Sequence, residues 1–550
     1  MIRKKKIDIW SIASILIFGL YLLFMIYPLF GIIRESIIDP NTGKFTMAFF
    51  EKFFSKKYYI NSILNSIKIT ICVTIATILI ATPLAYILSM FKIKGAKIIR
   101  ILILISSMSA PFIGAYSWIL LLGRNGSITN FFNNVLNIPL PDIYGFGGIC
   151  LVITLQLVPL VFMYVSGALR NMDNSLMEAA EQMGCTGANK IVEVVIPLIL
   201  PTLLASAVLV FMSAFSDWGT PMLIGEGYST VPVVVYNAFM GETTTSNGFA
   251  AAISVIVVAF TTSAFLFQKW VAKKHSFKLS TLNPVEQKPL KGIKNVLAHC
   301  IIYFYALIAM LPQFSILENS FRKTKGVVLQ EGYSLTSYQK AFGKLGNVFE
   351  NTAKLSLIAI AIIVVLGVLI AYITIRRSNA INYSIDIMSM IPYVIPGSII
   401  GIGMVIAFNK GPLLLTGTAV IMIINYVVRE LPYTARSSSA IISSIDISLE
   451  EAALSLGAGN LETFFSVTLP IMAPGVISGA IYSWISIITE LSGSIMLYTV
   501  KTKSLTIEIY SQIVRGNNGV AAALATILSV ITIIATIIVF KITGKDEITM

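Results

Sequence analysis

The sequence predicts an all-α polytopic membrane protein of about twelve transmembrane helices, arranged as two parallel six-helix repeats. Three observations predict it. Of 550 residues, 56% are hydrophobic and 12% charged, and the mean hydropathy is +0.84, far above that of a water-soluble domain. Apolar stretches of spanning length recur along the whole chain. A segment of the first half also reappears in the second at a constant offset.

The apolar stretches come first. A hydrocarbon core of about 30 Å takes about 20 apolar residues per helix. Spans are predicted near 9–33, 62–91, 98–122, 147–168, 194–217 and 249–268. Six more are predicted near 296–317, 351–375, 384–408, 415–435, 467–490 and 520–540. The first follows Arg3, Lys4, Lys5 and Lys6, but its apolar run is too long for a signal peptide and lacks a small-residue cleavage site, so it reads as an uncleaved anchor.

The charge supports an orientation. Lys+Arg exceed Asp+Glu by 14, and the charges avoid the apolar runs, which suits basic cytoplasmic loops better than nucleic acid. With the N-terminus inside, the seven cytoplasmic segments hold 22 Lys+Arg against 15 in the six outer loops. Basic loops resist translocation, so both termini are expected in the cytoplasm of a cell-membrane protein. The stretch from Lys269 to Asn295 holds seven lysines, Pro284, Pro289 and one acid, Glu286. It reads as a cytoplasmic linker at 269–295, between halves 1–268 and 296–550.

The repeat follows. Asp173 to Pro201 matches Asp446 to Pro474 at offset 273 without gaps, with ten of 29 positions identical; chance gives about two. Pro159 pairs with Pro432 at the same offset, Asn65 and Ala85-Tyr86 with Asn351 and Ala371-Tyr372 at 286, and Gly248 with Gly519 at 271. Six spans per half return the chain to its starting side, so the repeats are parallel and a pathway belongs where the halves meet.

Each repeat carries one device on the cytoplasmic side. Ser175 to Glu178 and Ser448 to Glu451 have the S-x-x-E spacing of a capping box, which predicts a short helix starting at each serine. Ala179-Ala180 and Ala452-Ala453 add helix propensity with little bulk. Gly184 and Gly457 are placed to end those helices in the left-handed region, and Pro197, Pro201, Pro470 and Pro474 sit at the entry to the next span.

On these residues the chain resembles the membrane subunits of ATP-binding-cassette importers. Glu178-Ala179-Ala180 with Gly184, Ile191 and Pro197, and Glu451-Ala452-Ala453 with Gly457, Phe464 and Pro470, are similar to that family's EAA loop. The first copy departs where Ile191 replaces the more usual aromatic. The resemblance implies the type I importer fold and a coupling helix in each half, docked on a separate ATPase. It further implies two ATPase subunits, most simply a homodimer, and an extracytoplasmic solute-binding protein as receptor. Glu178 and Glu451 either pair with a basic residue of the ATPase or complete their own caps.

The chain has no G-x-x-x-x-G-K-[ST] sequence, so ATP is expected on the partner subunits, with no cofactor bound here. Cys72, Cys150, Cys185 and Cys300 are scattered, and His275 and His299 lie in or beside the basic stretch. Neither a metal site nor catalytic residues are expected.

Asp217 and Glu490 also pair at offset 273. Each lies about 23 residues past a span start, roughly 35 Å along a helix, close to the outer surface. With Gly219 and Pro221 they mark broken helix ends, either an outer gate or interfacial anchors. Arg429 and Glu430 read as an internal ion pair of structural role, and the Met, Phe and Tyr of the spans as ordinary packed or lipid-facing surface. The fusion of two halves and the stretch Asp217 to Gly225 resemble ferric-iron-type permeases most, while permeases for phosphonates such as 2-aminoethylphosphonate, thiamine, sulfate and polyamines share most of these features. The rivals from other classes are an ion-coupled secondary transporter and a polytopic membrane enzyme.

Overall fold

The computed structural model describes residues 8–106, 111–170, 172–241, 247–274, 287–325, 328–377 and 379–543. Arg3 to Lys6, and in the linker His275, Lys278, Pro284 and Glu286, lie outside them.

Nine helices among the described residues are long and apolar enough to cross a bilayer. They are Ile9–Ile37, Lys57–Met90, Phe146–Arg170, Ile191–Ser216, Gly248–Phe267, Gly292–Phe321, Thr336–Arg376, Asn460–Thr489 and Asn518–Ile538. The other three expected spans depart from a plain apolar rod. The segment near 98–122 comprises Ala96–Ser106 and Pro111–Leu122, with 107–110 outside the described residues. The segment near 384–408 is a pair, Ala380–Val394 and Gly397–Phe408, bent by 112°. Pro396 explains the bend: a proline disfavours helical backbone in the residue before it, and Ile395 is extended at ψ 127°. The segment near 415–435 is one helix, Ala419–Ser444, but Arg429, Glu430 and Arg436 leave it poorer in apolar residues, and Glu430 is turned inward, 4% exposed.

The repeat is visible in local geometry. Single π-helical turns at Ile191–Val195 and Phe464–Thr468 stand 273 positions apart, each just before the proline that opens the next helix, where a lost N–H is tolerated. Asn65 donates to the carbonyl of Ser229 at 3.1 Å, and Asn351 to that of Lys501 at 2.8 Å. The neighbouring hydroxyls, Ser66 and Thr352, accept from the amides of Val231 and Leu505 at 2.9 and 2.8 Å. The same clamp thus holds the equivalent loop of each half.

Neighbour relations do not follow chain order. The first helix, Ile9–Ile37, packs on Gly248–Lys274 but also on the bent pair of the second half, and Trp10 meets the rings of Tyr372 and Phe464 at 4.4 and 5.0 Å. Reciprocally, Gly292–Phe321 packs on Ala96–Ser106 and Pro111–Leu122 of the first half. Ala298, Ile302, Tyr305, Ala306 and Ala309 are part of the first half's core, while Trp10, Ile17, Tyr21, Met25 and Ile32 are part of the second's. Each half lends its opening helix to the other. A small antiparallel hairpin, Arg322–Lys325 with Val328–Tyr333, follows the lent helix of the second half and was not expected.

Candidate functional site

The two short helices expected on the cytoplasmic side are Asn174–Gln182 and Ser448–Ser455. The serine capping boxes expected at Ser175 and Ser448 are not formed. Asp173 caps the first helix: its Oδ1 accepts from the Ser175 amide at 2.9 Å and the Ser175 hydroxyl at 2.7 Å. Asp446 Oδ1 accepts from the Ser448 amide at 2.9 Å. That backbone hydrogen bond, ahead of the serine hydroxyl, holds the Asp446 carboxyl below its ordinary value. An aspartate satisfies an orphan amide as well as a serine does and adds negative charge at the positive end of the helix. Glu178 is freed from capping and accepts from Asn174 Nδ2 at 2.7 Å.

Both helices end alike. Gly184 and Gly457 have φ of 83° and 95°, and the amides after them, of Cys185 and Ala458, reach back to the carbonyls of Ala180 and Ala453 at 2.9 and 3.1 Å. This is the six-to-one bond of a Schellman turn, for which glycine has no Cβ penalty. Glu178, Ala179, Glu451 and Ala452 are exposed, Ala180 is buried and Ala453 half-buried. At the helix ends Met183 and Leu456, which correspond at offset 273, are 81% and 90% exposed.

The anchoring differs between copies. In the second, Arg376 Nε reaches Glu450 Oε1 at 2.9 Å, with Tyr372 donating to Oε2 at 3.4 Å. In the first, Met177 stands in place of Glu450. There Glu181 takes Lys190 at 2.5 Å and Lys288, from the end of the linker, at 3.4 Å. Lys288 is also paired through its backbone with Met90 and Lys92, and His299 Nε2 accepts from the Lys94 amide.

Towards the other face, Asp217 and Glu490 occupy equivalent breaks, both extended, after helices ending at Ser216 and Thr489. Asp217 Oδ1 accepts from the amides of Gly219 and Thr220 at 3.0 and 3.3 Å, at the start of the short helix Gly219–Ile224. Glu490 accepts from the amides of Gly493 and Ser494 at 2.7 and 2.9 Å and from the hydroxyls of Ser492 and Ser494. It opens the helix Ser494–Leu497. Gly219 is buried where a Cβ would come within 3.0 Å of Phe112, and Pro221 is buried beside it. Trp218, 1% exposed, meets Tyr510 of the second half at 5.4 Å.

Arg429 is closer to Glu490, at 3.4 Å, than to Glu430, at 3.8 Å, and donates to Ser492 Oγ at 2.7 Å. The expected Arg429–Glu430 pair is therefore the weaker of its two carboxylate contacts. One turn along the helix from Arg429, Tyr433 stands between Tyr393 and Tyr482, with ring centroids 5.0 and 4.7 Å apart. Sequence reading took these rings for ordinary packing. The contacts between them are consistent with that reading; at offset 273 the first half has Gln156, Leu157, Leu160 and Leu209 against Arg429, Glu430, Tyr433 and Tyr482. A cavity of about 720 Å³ beside Leu121, Leu311 and Phe314 lies elsewhere, against the lent helix, and is almost wholly apolar. Among the described residues no group of three or more His, Cys, Asp and Glu could hold a metal ion.

Comparison with known proteins agrees with this architecture. The family described as "Binding-protein-dependent transport system inner membrane component" matches twice, over residues 69–276 and 349–543. The ferric transport system permease protein FbpB of Actinobacillus pleuropneumoniae is 27% identical over 450 residues, covering 80% of this chain and 64% of that protein. A putative ferric transport system permease protein, FbpB 1 of Haemophilus influenzae, is 28% identical over 422 residues, covering 74% and 66%. A putative 2-aminoethylphosphonate transport system permease protein, PhnV of Salmonella paratyphi A, is 26% identical over 235 residues, covering 42% of this chain and 87% of its own. The chain spans somewhat under two thirds of the length of the first two relatives. With the family matched once in each half and multiple apolar helices, this multi-pass membrane protein belongs to the binding-protein-dependent transport system inner membrane components.

Proposed function

We propose that the chain is a two-half permease subunit of an ABC importer that carries ferric iron from an external binding protein into the cytoplasm. The halves are 1–268 and 296–550, joined by the linker 269–295, with both termini cytoplasmic. Two ATPase subunits, as a homodimer, dock on Glu178, Ala179, Ala180 and Gly184 and on Glu451, Ala452, Ala453 and Gly457. ATP is bound and hydrolysed on those subunits, and the permease makes and breaks no covalent bond. Asp217, Gly219, Pro221 and Glu490 frame the outer gate, opened when the halves separate at Trp218 and Tyr510.

The observation that carries this reading is the duplicated cytoplasmic helix: capped by aspartate, ended by a left-handed glycine, and holding Met183 or Leu456 outward in each half. A helix serving only its own half has no use for an exposed apolar tip. Ferric iron is supported by the names of the two relatives that cover most of the chain, and the phosphonate reading by the third.

The test is uptake into vesicles holding the permease with its co-purifying ATPase and receptor, with ATP inside and ionophores present. Uptake of iron that requires ATP and survives collapse of ion gradients is expected. Uptake that stops with the gradient would instead identify an ion-coupled transporter, for which the buried Glu430 is the candidate group.

A further inference from the structure

We propose that the apolar groove at the seam between Leu121 and the helix Gly292–Phe321 holds an acyl chain of an acidic glycerophospholipid, whose headgroup is met by Lys323 and Tyr333 of the hairpin.

The groove has a volume of about 720 Å³, and Leu121, Leu311, Phe314, Leu317, Phe321 and Tyr333 supply most of its wall. Leu121 belongs to the first half and the others to the second, so an occupant touches both. Phe314, Leu317, Phe321 and Tyr333 are all exposed. The groove therefore opens sideways, along a helix apolar enough to cross a bilayer. Water finds too few polar partners in such a space, and hydrocarbon fills it at no cost in hydrogen bonds. From Leu311 to Phe321 the helix rises about 15 Å, half of a hydrocarbon core of about 30 Å. One leaflet's acyl chain reaches that depth.

The equivalent seam in the other copy shows that the opening is not demanded by the fold. There the lent helix Ile9–Ile37 lies on Gly397–Phe408. A Cβ at Gly31 would stand 3.4 Å from Ile406 and 3.9 Å from Ala407, and the rings of Phe24 and Tyr27 each lie 5.9 Å from that of Phe408. The cleft beside Phe24, Pro28 and Gly403 has a volume of only about 10 Å³. One seam is closed by its own side chains, and the other leaves room for a ligand.

The mouth of the groove selects the headgroup. The spanning helix ends at Phe321, and Arg322, Lys323 and Lys325 follow at once, against the two acids Glu318 and Glu331. Charges so dense belong at the membrane surface rather than in hydrocarbon. Glu318 is taken, because its Oε1 accepts from Arg322 Nε at 2.9 Å. Lys323 is exposed and has no ion pair among the described residues. Its ammonium lies 3.6 Å from the place a Cβ would occupy at Gly332, next in the chain to Tyr333 on the groove wall. An unpaired ammonium and a phenol at the top of an apolar slot fit a phosphate joined to acyl chains. The excess of positive charge favours a headgroup of net negative charge, since a zwitterion would bring its own amine to the same ammonium.

The test equilibrates the purified full-length chain in detergent with dioleoyl phosphatidylglycerol or dioleoyl phosphatidylcholine and counts retained lipid by native mass spectrometry. Retention of one phosphatidylglycerol in preference to phosphatidylcholine is expected. Leu317→Trp, which fills the groove, should abolish that retention, while Leu297→Trp, at an exposed position near the other end of the same helix, should not. Lys323→Gln should lower phosphatidylglycerol affinity about fivefold, the effect of one basic residue at an acidic membrane surface, and because Lys323 is exposed it keeps the test valid if Leu317→Trp does not fold. Equal retention of the two lipids, or phosphatidylglycerol retention unchanged in both Leu317→Trp and Lys323→Gln, overturns the site. Displacement of the lipid by inorganic phosphate alone would identify a phosphate site without an acyl chain and overturn it as well.

Discussion

Asp173 and Asp446, 273 positions apart, each accept a hydrogen bond of 2.9 Å from the amide two residues further on. The equality matters because it starts the two short repeat helices in the same way although their anchors differ. The two copies thus present one shape at their starts, which suits the paired docking proposed above.

The turn that ends each helix is the first point to test. Proline holds φ near −65°, and the native values are 83° at Gly184 and 95° at Gly457. Gly184→Pro and Gly457→Pro are expected to reshape the tip that carries Met183 or Leu456 and to uncouple ATP hydrolysis from uptake, with the spans still inserted. Parallel ATPase and uptake assays in vesicles check this; full uptake by both variants would sink the docking assignment.

Arg376 and Glu450 tie the second cytoplasmic helix to the long helix Thr336–Arg376, with side chains only 11% and 9% exposed. Removing one member leaves a buried charge without its partner, at a cost of about 3–5 kcal/mol. Arg376→Ala should lower the thermal unfolding temperature of the purified chain and cut uptake, because the helix also loses the Arg376 bond to the Ile445 carbonyl. An unchanged unfolding temperature would show the pair to be dispensable.

Arg429→Gln places in the second half the residue that the first half carries at position 156. Glu490, 3% exposed, then keeps its amide donors but loses its cation, and destabilisation of about 3–5 kcal/mol is expected. Gly397→Ala should act in the same direction, since a Cβ there would fall 1.2 Å from the guanidinium Nη1. Thermal unfolding of both variants in detergent measures it, and stability equal to the parent chain in both would contradict the assignment.

Glu181 supplies a pH dependence. The hydrogen bond from Lys190, then its charge, and then Lys288 hold the Glu181 carboxyl below its ordinary value of 4.5. A depressed carboxyl stabilises the fold fully above the unfolded value and loses that contribution as pH falls through the lower folded value. Amide-exchange protection across 182–190, corrected for intrinsic rates, should therefore be flat from neutral pH to about 5 and fall only below the ordinary range. Glu181→Gln should abolish the dependence; a loss centred above pH 5 would assign it to another group.

Much of the architecture was legible in the sequence because the signals were local. Twelve apolar segments, the duplicated stretch and the glycines at 184 and 457 each report on a few neighbouring residues, and the left-handed φ at both glycines is the backbone that such a helix end requires. The cap was misassigned because Asp173 and Ser175 are both competent capping residues two positions apart, and one turn of helix decides between them. The bend at Pro396 was hidden within an otherwise continuous apolar run.

Sequence alone determined that the chain crosses a membrane many times, that it is a duplicated structure, and where the short helix of each copy ends in a turn. Hydropathy and backbone preference are properties of short segments, so they need no knowledge of neighbours. Tertiary structure decided which helices touch: that Trp10 packs on Tyr372 and Phe464, that Arg429 prefers Glu490 to the residue beside it, and that Tyr393, Tyr433 and Tyr482 from three elements stack together. Between helices in lipid there is little hydrophobic drive to separate right partners from wrong ones, so pairing rests on side-chain shape and buried polar contacts. Those are set by residues far apart in the chain.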